Sequence, residues 1–218
     1  MIGRRSLLVA GGAYACLSRF AVAEALAIPA SGRIGFNVVR KGSVIGTHTL
    51  TFEGDGDNPI IHVAVDLAVG IGPIKLFRYT HRATETWRDG KVFSVVAETN
   101  NDGKRLNVKV DRSADGFAVS ATKIASYTAP ENALPATHWY RKMLDGPMIN
   151  TQNGMLMHPT VTAMGEDQIP SATGGPIRAS HFNLSGDAQL DTWYDAGQNW
   201  VGIAFKAADG SEVRYEKL

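Results

Sequence analysis

Along residues 77–88 apolar and polar side chains alternate with a period of two, which places alternate residues on opposite faces of a strand. Phe77, Tyr79, His81, Ala83, Glu85 and Trp87 fall on one face, and Arg78, Thr80, Arg82, Thr84, Thr86 and Arg88 on the other. Arg88-Asp89-Gly90-Lys91 and Asn101-Asp102-Gly103-Lys104 supply residues that tolerate positive φ in two-residue hairpin turns. Strands over Lys91 to Thr99 and around Leu106, Val108 and Val110 follow, and Asp115-Gly116 leads into Phe117 to Thr122.

The same punctuation runs through the rest of the chain. Ile34, Phe36 and Val38 lead through Lys41-Gly42 into a strand over Ser43 to Glu53, with Val44, His48, Leu50 and Phe52 expected on one face. Ile61, Val63, Val65, Leu67 and Val69 share a face of the next strand. Residues 126–151 show no strand alternation, and Pro135-Ala136-Thr137 predicts a capped short helix from His138 to Leu144, stopped by Asp145-Gly146-Pro147. Met155 to Met164 is extended again, and its Pro159 argues for an edge strand or a bulge. Ile177 to Leu184, Gln189 to Tyr194, Trp200 to Lys206 and Glu212 to Lys217 complete the pattern. The fold expected is all-β: an antiparallel meander of about a dozen strands, forming a barrel or a half-closed curved sheet, with one short helix.

Length and charge narrow the possibilities. A chain of 218 residues suits one domain, and 22 basic against 21 acidic side chains give no concentrated basic surface for nucleic acid. Residues 1–27 read as an export signal. Paired Arg4-Arg5 precede a weakly apolar run from Leu7 to Leu17, and Ala21-Val22-Ala23 and Ala25-Leu26-Ala27 are small-residue cleavage signatures. This resembles a twin-arginine signal; an ordinary secretory signal with two arginines is the alternative. The run is far shorter than the roughly 20 apolar residues of a membrane span. The folded domain is expected over 28–218. Cys16, the single cysteine, leaves with the signal, so no disulfide is expected.

Several short motifs, taken in order, carry a resemblance over nearly the whole mature chain. They are Phe77-Arg78-Tyr79-Thr80-His81-Arg82, Glu85-Thr86-Trp87-Arg88-Asp89-Gly90, Ile149-Asn150-Thr151-Gln152-Asn153-Gly154, Asp191-Thr192-Trp193-Tyr194-Asp195, and Asp209-Gly210-Ser211 with Arg214-Tyr215. Together they resemble an exported bacterial family known as a domain of unknown function, family 6134. The resemblance implies an antiparallel, barrel-like fold similar to periplasmic lipid-carrier barrels. It implies no activity and no catalytic residues.

Candidate chemistry is sparse. Histidines 48, 62, 81, 138, 158 and 181 show no metal-ligand spacing, and the acidic loop Gly54 to Pro59 lacks the glycine and terminal glutamate of a calcium loop. There is no nucleophile elbow, phosphate-cradling glycine loop or dinucleotide fingerprint, so neither a metal nor a cofactor is implied. His81 and Glu85 stand out because they share the aromatic face, where an unpaired charge is costly. Four residues along a strand separate them by about 13 Å, so each needs a partner on a neighbouring strand. They are either a polar patch in a ligand cavity or two satisfied interior residues.

Tyr79, His81, Glu85, Trp87 and His48 are the candidate ligand-binding residues; Trp193 and Tyr194 read as core aromatics. The leading expectation is a non-catalytic binder or carrier of a lipid-like or other apolar molecule. The alternatives are a hydrolase or isomerase using His81, Glu85 and residues 126–153, and a scaffold that binds another envelope protein.

Overall fold

The computed structural model describes residues 26–54, 56–71 and 74–218. The expectations for the export signal and Cys16 lie outside the described residues. Eight strands come first: β1 (Arg33–Arg40), β2 (Ser43–Glu53), β3 (Ile60–Ile71), β4 (Ile74–Arg88), β5 (Lys91–Asn101), β6 (Lys104–Ser113), β7 (Gly116–Ala121) and β8 (Ile124–Ala129). Three two-residue strands follow, β9 (Leu134–Pro135), β10 (Met148–Ile149) and β11 (Leu156–Met157). The chain ends with β12 (Thr160–Ile169), β13 (Ile177–Ser185), β14 (Leu190–Tyr194), β15 (Trp200–Lys206) and β16 (Glu212–Lys217). No helix among the described residues is long and apolar enough to cross a membrane.

Thirteen of these strands form one antiparallel sheet in the order β12-β13-β14-β15-β16-β1-β2-β3-β4-β5-β6-β7-β8. The sheet is a meander cut once. β16 closes back onto β1 from Phe36↔Lys217 to Arg40↔Val213, so both halves of the chain become one surface. β8 and β12 are left as edges, so the sheet is barrel-like but not closed. The segment between those edges lies against the sheet's inner face and carries a small sheet of its own, with β10 parallel to β9 and antiparallel to β11. Its Trp139, Met143, Met148 and Ile149 join one hydrophobic core with Phe36, Leu50, Ile61, Trp87, Phe117 and Trp200 from the strands.

The turn chemistry acts as expected. Lys41-Gly42, Asp89-Gly90 and Asp102-Gly103 all take positive φ, between 50° and 87° at the last pair, which matches the twist of the hairpins they join. β4 also holds its alternation: His81, Ala83, Glu85 and Trp87 are buried, Tyr79 is half-buried, and Arg78, Arg82 and Arg88 are exposed.

Four details differ from the sequence reading. Val44 is 59% exposed instead of inward. The pairing of β2 with β1 skips Ile45, and this bulge reverses the faces before it. Gly46 permits the bulge, with φ +156 and an approach so close that a Cβ would stand 1.9 Å from the Asp66 carbonyl oxygen. Instead of a helix from His138 there is one 3₁₀ turn, Arg141–Asp145, without a side-chain cap. His138 itself has φ +68, which no right-handed helix accommodates.

The other two differences concern strands. β8 runs from Ile124 into the stretch expected to lack strands; its alternation is faint because only Ala129 is buried. The extended segment from Met155 to Met164 is broken at Pro159 into β11 and β12, although β12 is, as expected, an edge strand and carries a register shift at Ala163/Gly165.

Candidate functional site

A cavity of about 280 Å³ opens between the inner face of the sheet and the segment that crosses it. β2 contributes His48, β3 Val63 and Val65, and β4 Tyr79 and His81; Trp200, Ile203 and Phe205 come from β15 and Tyr215 from β16. Ala136, Thr137, His138, Thr151 and Gln152 cover it from the crossing segment. Gln152 and Gln189 are exposed and mark the mouth, whereas His48, Val63, Val65 and His81 form a buried back wall. Among the described residues the lining contains no Asp, Glu, Lys or Arg.

Three histidines are among the polar groups of the lining, and burial keeps them neutral. His48 is pulled down to about 3, by burial first and then by the proximity of His138 and His81. Burial brings His138 to about 4, and burial with the neighbouring Arg82 brings His81 to about 4. Their hydrogen bonding separates them. His81 is satisfied at both nitrogens, Nδ1 sharing a hydrogen bond with the Thr99 hydroxyl at 2.8 Å and Nε2 with that of Thr151 at 3.3 Å. Thr99 lies on the neighbouring β5, and Thr151 on the crossing segment.

His48 has no partner at either nitrogen, and His138 has none at Nδ1. Aromatic rings enclose His48 at centroid distances of 5.2 Å (Trp200), 5.5 Å (Tyr215) and 6.3 Å (Phe36), none of them donating to it or accepting from it. Each unmet buried group costs on the order of 1–3 kcal/mol, so this end of the cavity is held at the expense of stability. The Tyr79 and Tyr215 phenols on the lining are pushed up by burial and stay neutral; Tyr215 pushes Tyr79 further, and Thr99 opposes the shift.

Glu85 and Trp87 share the strand face with His81 but stand apart from the cavity lining. Glu85 is fully buried, and its Oε2 accepts hydrogen bonds from Trp87 Nε1 at 3.0 Å and Trp139 Nε1 at 3.2 Å. The partners expected on a neighbouring strand are thus on its own strand and on the crossing segment. Oε1 has no partner of hydrogen-bond geometry, although the nearby Thr137 favours ionisation more than either indole does. Burial outweighs Thr137 and the two indoles and pushes the carboxyl upward, towards its neutral form.

Of the five residues singled out from sequence, the structure therefore brings His48, Tyr79 and His81 to one cavity and seats Glu85 and Trp87 in the core under Trp139. The sequence reading missed Trp200 and Tyr215, and it offered residues 126–153 only as a segment, without singling out Thr137, His138 or Thr151. Strand alternation around Trp200 and Tyr215 carried a signal for them, but the crossing segment has no period from which its inward residues could be read. Trp193, read as core, is half-buried outside the main core, packed with Ile169, Ala179 and Val201 and stacked on His181 at 4.6 Å. No group of three or more His, Cys, Asp or Glu among the described residues is arranged to hold a metal ion.

Comparison with known proteins agrees with this architecture. The crystal structure of a beta-barrel-like protein of domain of unknown function DUF1849, from Brucella abortus, is similar with a TM-score of 0.58. The likeness covers 85% of this chain and 95% of that one at 11% identity, and so concerns the fold. No curated protein matches. The family model for a domain of unknown function, DUF6134, matches residues 36–217.

Proposed function

We propose, for a chain that belongs to the DUF6134 family, that it binds a small, uncharged, mostly apolar molecule in the cavity under its crossing segment and acts by binding rather than by catalysis. The observation that carries this reading is the lining: aromatic and aliphatic side chains, a few hydroxyls and amides, neutral histidines and no ionisable acid, lysine or arginine. A pocket of that character favours apolar surface and excludes charge.

Size narrows the ligand. A dry cavity of about 150 Å³ holds benzene, so 280 Å³ suits a one- or two-ring molecule or a short chain, not a diacyl lipid. The paired arginines and apolar run at the N-terminus support work outside the cytoplasm, where a carrier of poorly soluble molecules has a use. A hydrolase or isomerase reading would need His81 and Glu85 on one substrate, and Glu85 is not part of the lining.

The test is native mass spectrometry of protein purified from its own envelope. A single adduct of a few hundred daltons at most, released on unfolding as a neutral compound, is the expected result. Consistently bare protein, or an adduct the size of a phospholipid, would contradict the reading.

A further inference from the structure

His48 and His138 make demands that the protein itself does not meet. His48 is 7% exposed and lines the cavity, with both ring nitrogens unpartnered. A neutral imidazole offers one N–H donor and one bare-nitrogen acceptor, and its ring neighbours Phe36, Trp200 and Tyr215 leave both unused. A phenylalanine of similar size would satisfy that aromatic cluster without any unmet polar atom.

The second observation is independent. His138 holds φ +68, uncommon for a residue with a side chain. Two contacts keep it there: the Tyr194 hydroxyl donates to its carbonyl at 2.9 Å, and its ring stacks on Trp200 at 5.2 Å and 23°. The strained backbone thus delivers a second imidazole to the lining, again with a nitrogen unmet. His48 and His138 are neighbours, since each ring packs on the same Trp200 indole at 5.2 Å.

We infer that His48 and His138 form the hydrogen-bonding end of the cavity, and that the ligand carries an uncharged group able both to donate and to accept, a hydroxyl or a carboxamide, on a ring-sized apolar body. This deepens the proposed function and rests on it. A ligand hydroxyl satisfies one imidazole as acceptor and the other as donor without placing a charge in a lining that has no ionised partner. A carboxylate would arrive unneutralised and would have to draw a proton onto a buried ring.

The experiment uses the mature chain and three probes of one shape: 2-naphthol, naphthalene and 2-naphthoate, titrated near neutral pH by intrinsic tryptophan fluorescence. The naphthol is expected to bind at least about tenfold more tightly than naphthalene, and the naphthoate most weakly. In His48→Phe the naphthol advantage should fall to about twofold or less while naphthalene still binds, and the thermal midpoint should rise. His48→Gln, which restores a donor and an acceptor, should recover part of the advantage. Equal binding of naphthol and naphthalene by the unmodified protein, or strongest binding of the naphthoate, overturns the inference while leaving a ligand cavity in place. Binding of none of the three overturns the cavity reading and this inference with it. The unmodified-protein series decides the matter even if a variant fails to fold.

Discussion

Replacing Glu85 by glutamine isolates a fully buried carboxyl. Glu85 is fully buried, and burial raises its pKa above the ordinary 4.5 despite the Trp87 and Trp139 indoles and Thr137. Because the folded-state value is the higher one, stability from this group is complete below about pH 4.5 and is lost as pH rises towards the folded value. Through that window the unfolded chain releases a proton that the native state retains, at about 1.4 kcal/mol per pH unit for one group.

Glutamine keeps an acceptor oxygen for both indoles and cannot ionise in either state. The variant should therefore gain on the wild type as pH rises above about 4.5, at up to about 1.4 kcal/mol per pH unit until the raised folded value is reached. Taking the difference of urea unfolding free energies at each pH cancels the histidine contributions, which are common to both proteins. Glu85 stands outside the cavity lining, so the variant's ligand affinity should be unchanged. A gap that is constant with pH, or that favours the wild type increasingly as pH rises, would show that the carboxyl is ionised in the fold and refute the argument.

Other expectations follow from the same geometry. His48, His81 and His138 have folded values of about 3, 4 and 4 against 6.5 unfolded, so their stabilisation is complete above about pH 6.5 and is lost as pH falls. The three together should give an acid slope approaching 4 kcal/mol per pH unit, measurable by denaturation at stepped pH and about a third shallower in His48→Phe. Trp87→Ala should lower the urea-derived stability by about 3–5 kcal/mol, since it empties a core site and removes one of the two indole donors to Glu85. Gly46→Ala should cost more than about 2 kcal/mol because its Cβ meets the Asp66 backbone, whereas Gly42→Ala, at φ +75 in open space, should cost about 1 kcal/mol in a thermal melt. Arg4→Lys with Arg5→Lys should abolish export by a twin-arginine route, and intact mass of exported protein should place its first residue at Glu24 or Ile28; unchanged export would favour the general secretory route.

Most of the sheet was legible in sequence because antiparallel strands with one buried face alternate cleanly and Asp-Gly or Lys-Gly turns mark their ends. β15 and β16 occupy the ranges expected from pattern alone. What escaped has local causes. β8 follows a Thr122-Lys123 turn with no glycine and buries only its last residue, so neither punctuation nor periodicity announces it. Val44 is misplaced by the single residue Ile45, and a bulge of that size leaves no mark but the glycine beside it.

The candidate site was half legible for the same reasons. His48, Tyr79 and His81 could be assigned to the inner face by counting in twos. Counting could not show that Trp139 would arrive from 54 residues further along the chain and bond to Glu85. Nor could it reveal the strained His138, whose position depends on Tyr194 and Trp200 in strands much later in sequence.

Ligand binding between the two histidines is tested most directly by a crystal structure of residues 28–218 soaked with 2-naphthol. Ring-shaped density is expected in the space bounded by His48, His138, Trp200 and Tyr215, with the hydroxyl within hydrogen-bonding distance of His48. An interior filled instead by the protein's own side chains, with His48 paired to one of them and no room for the ring, would contradict it.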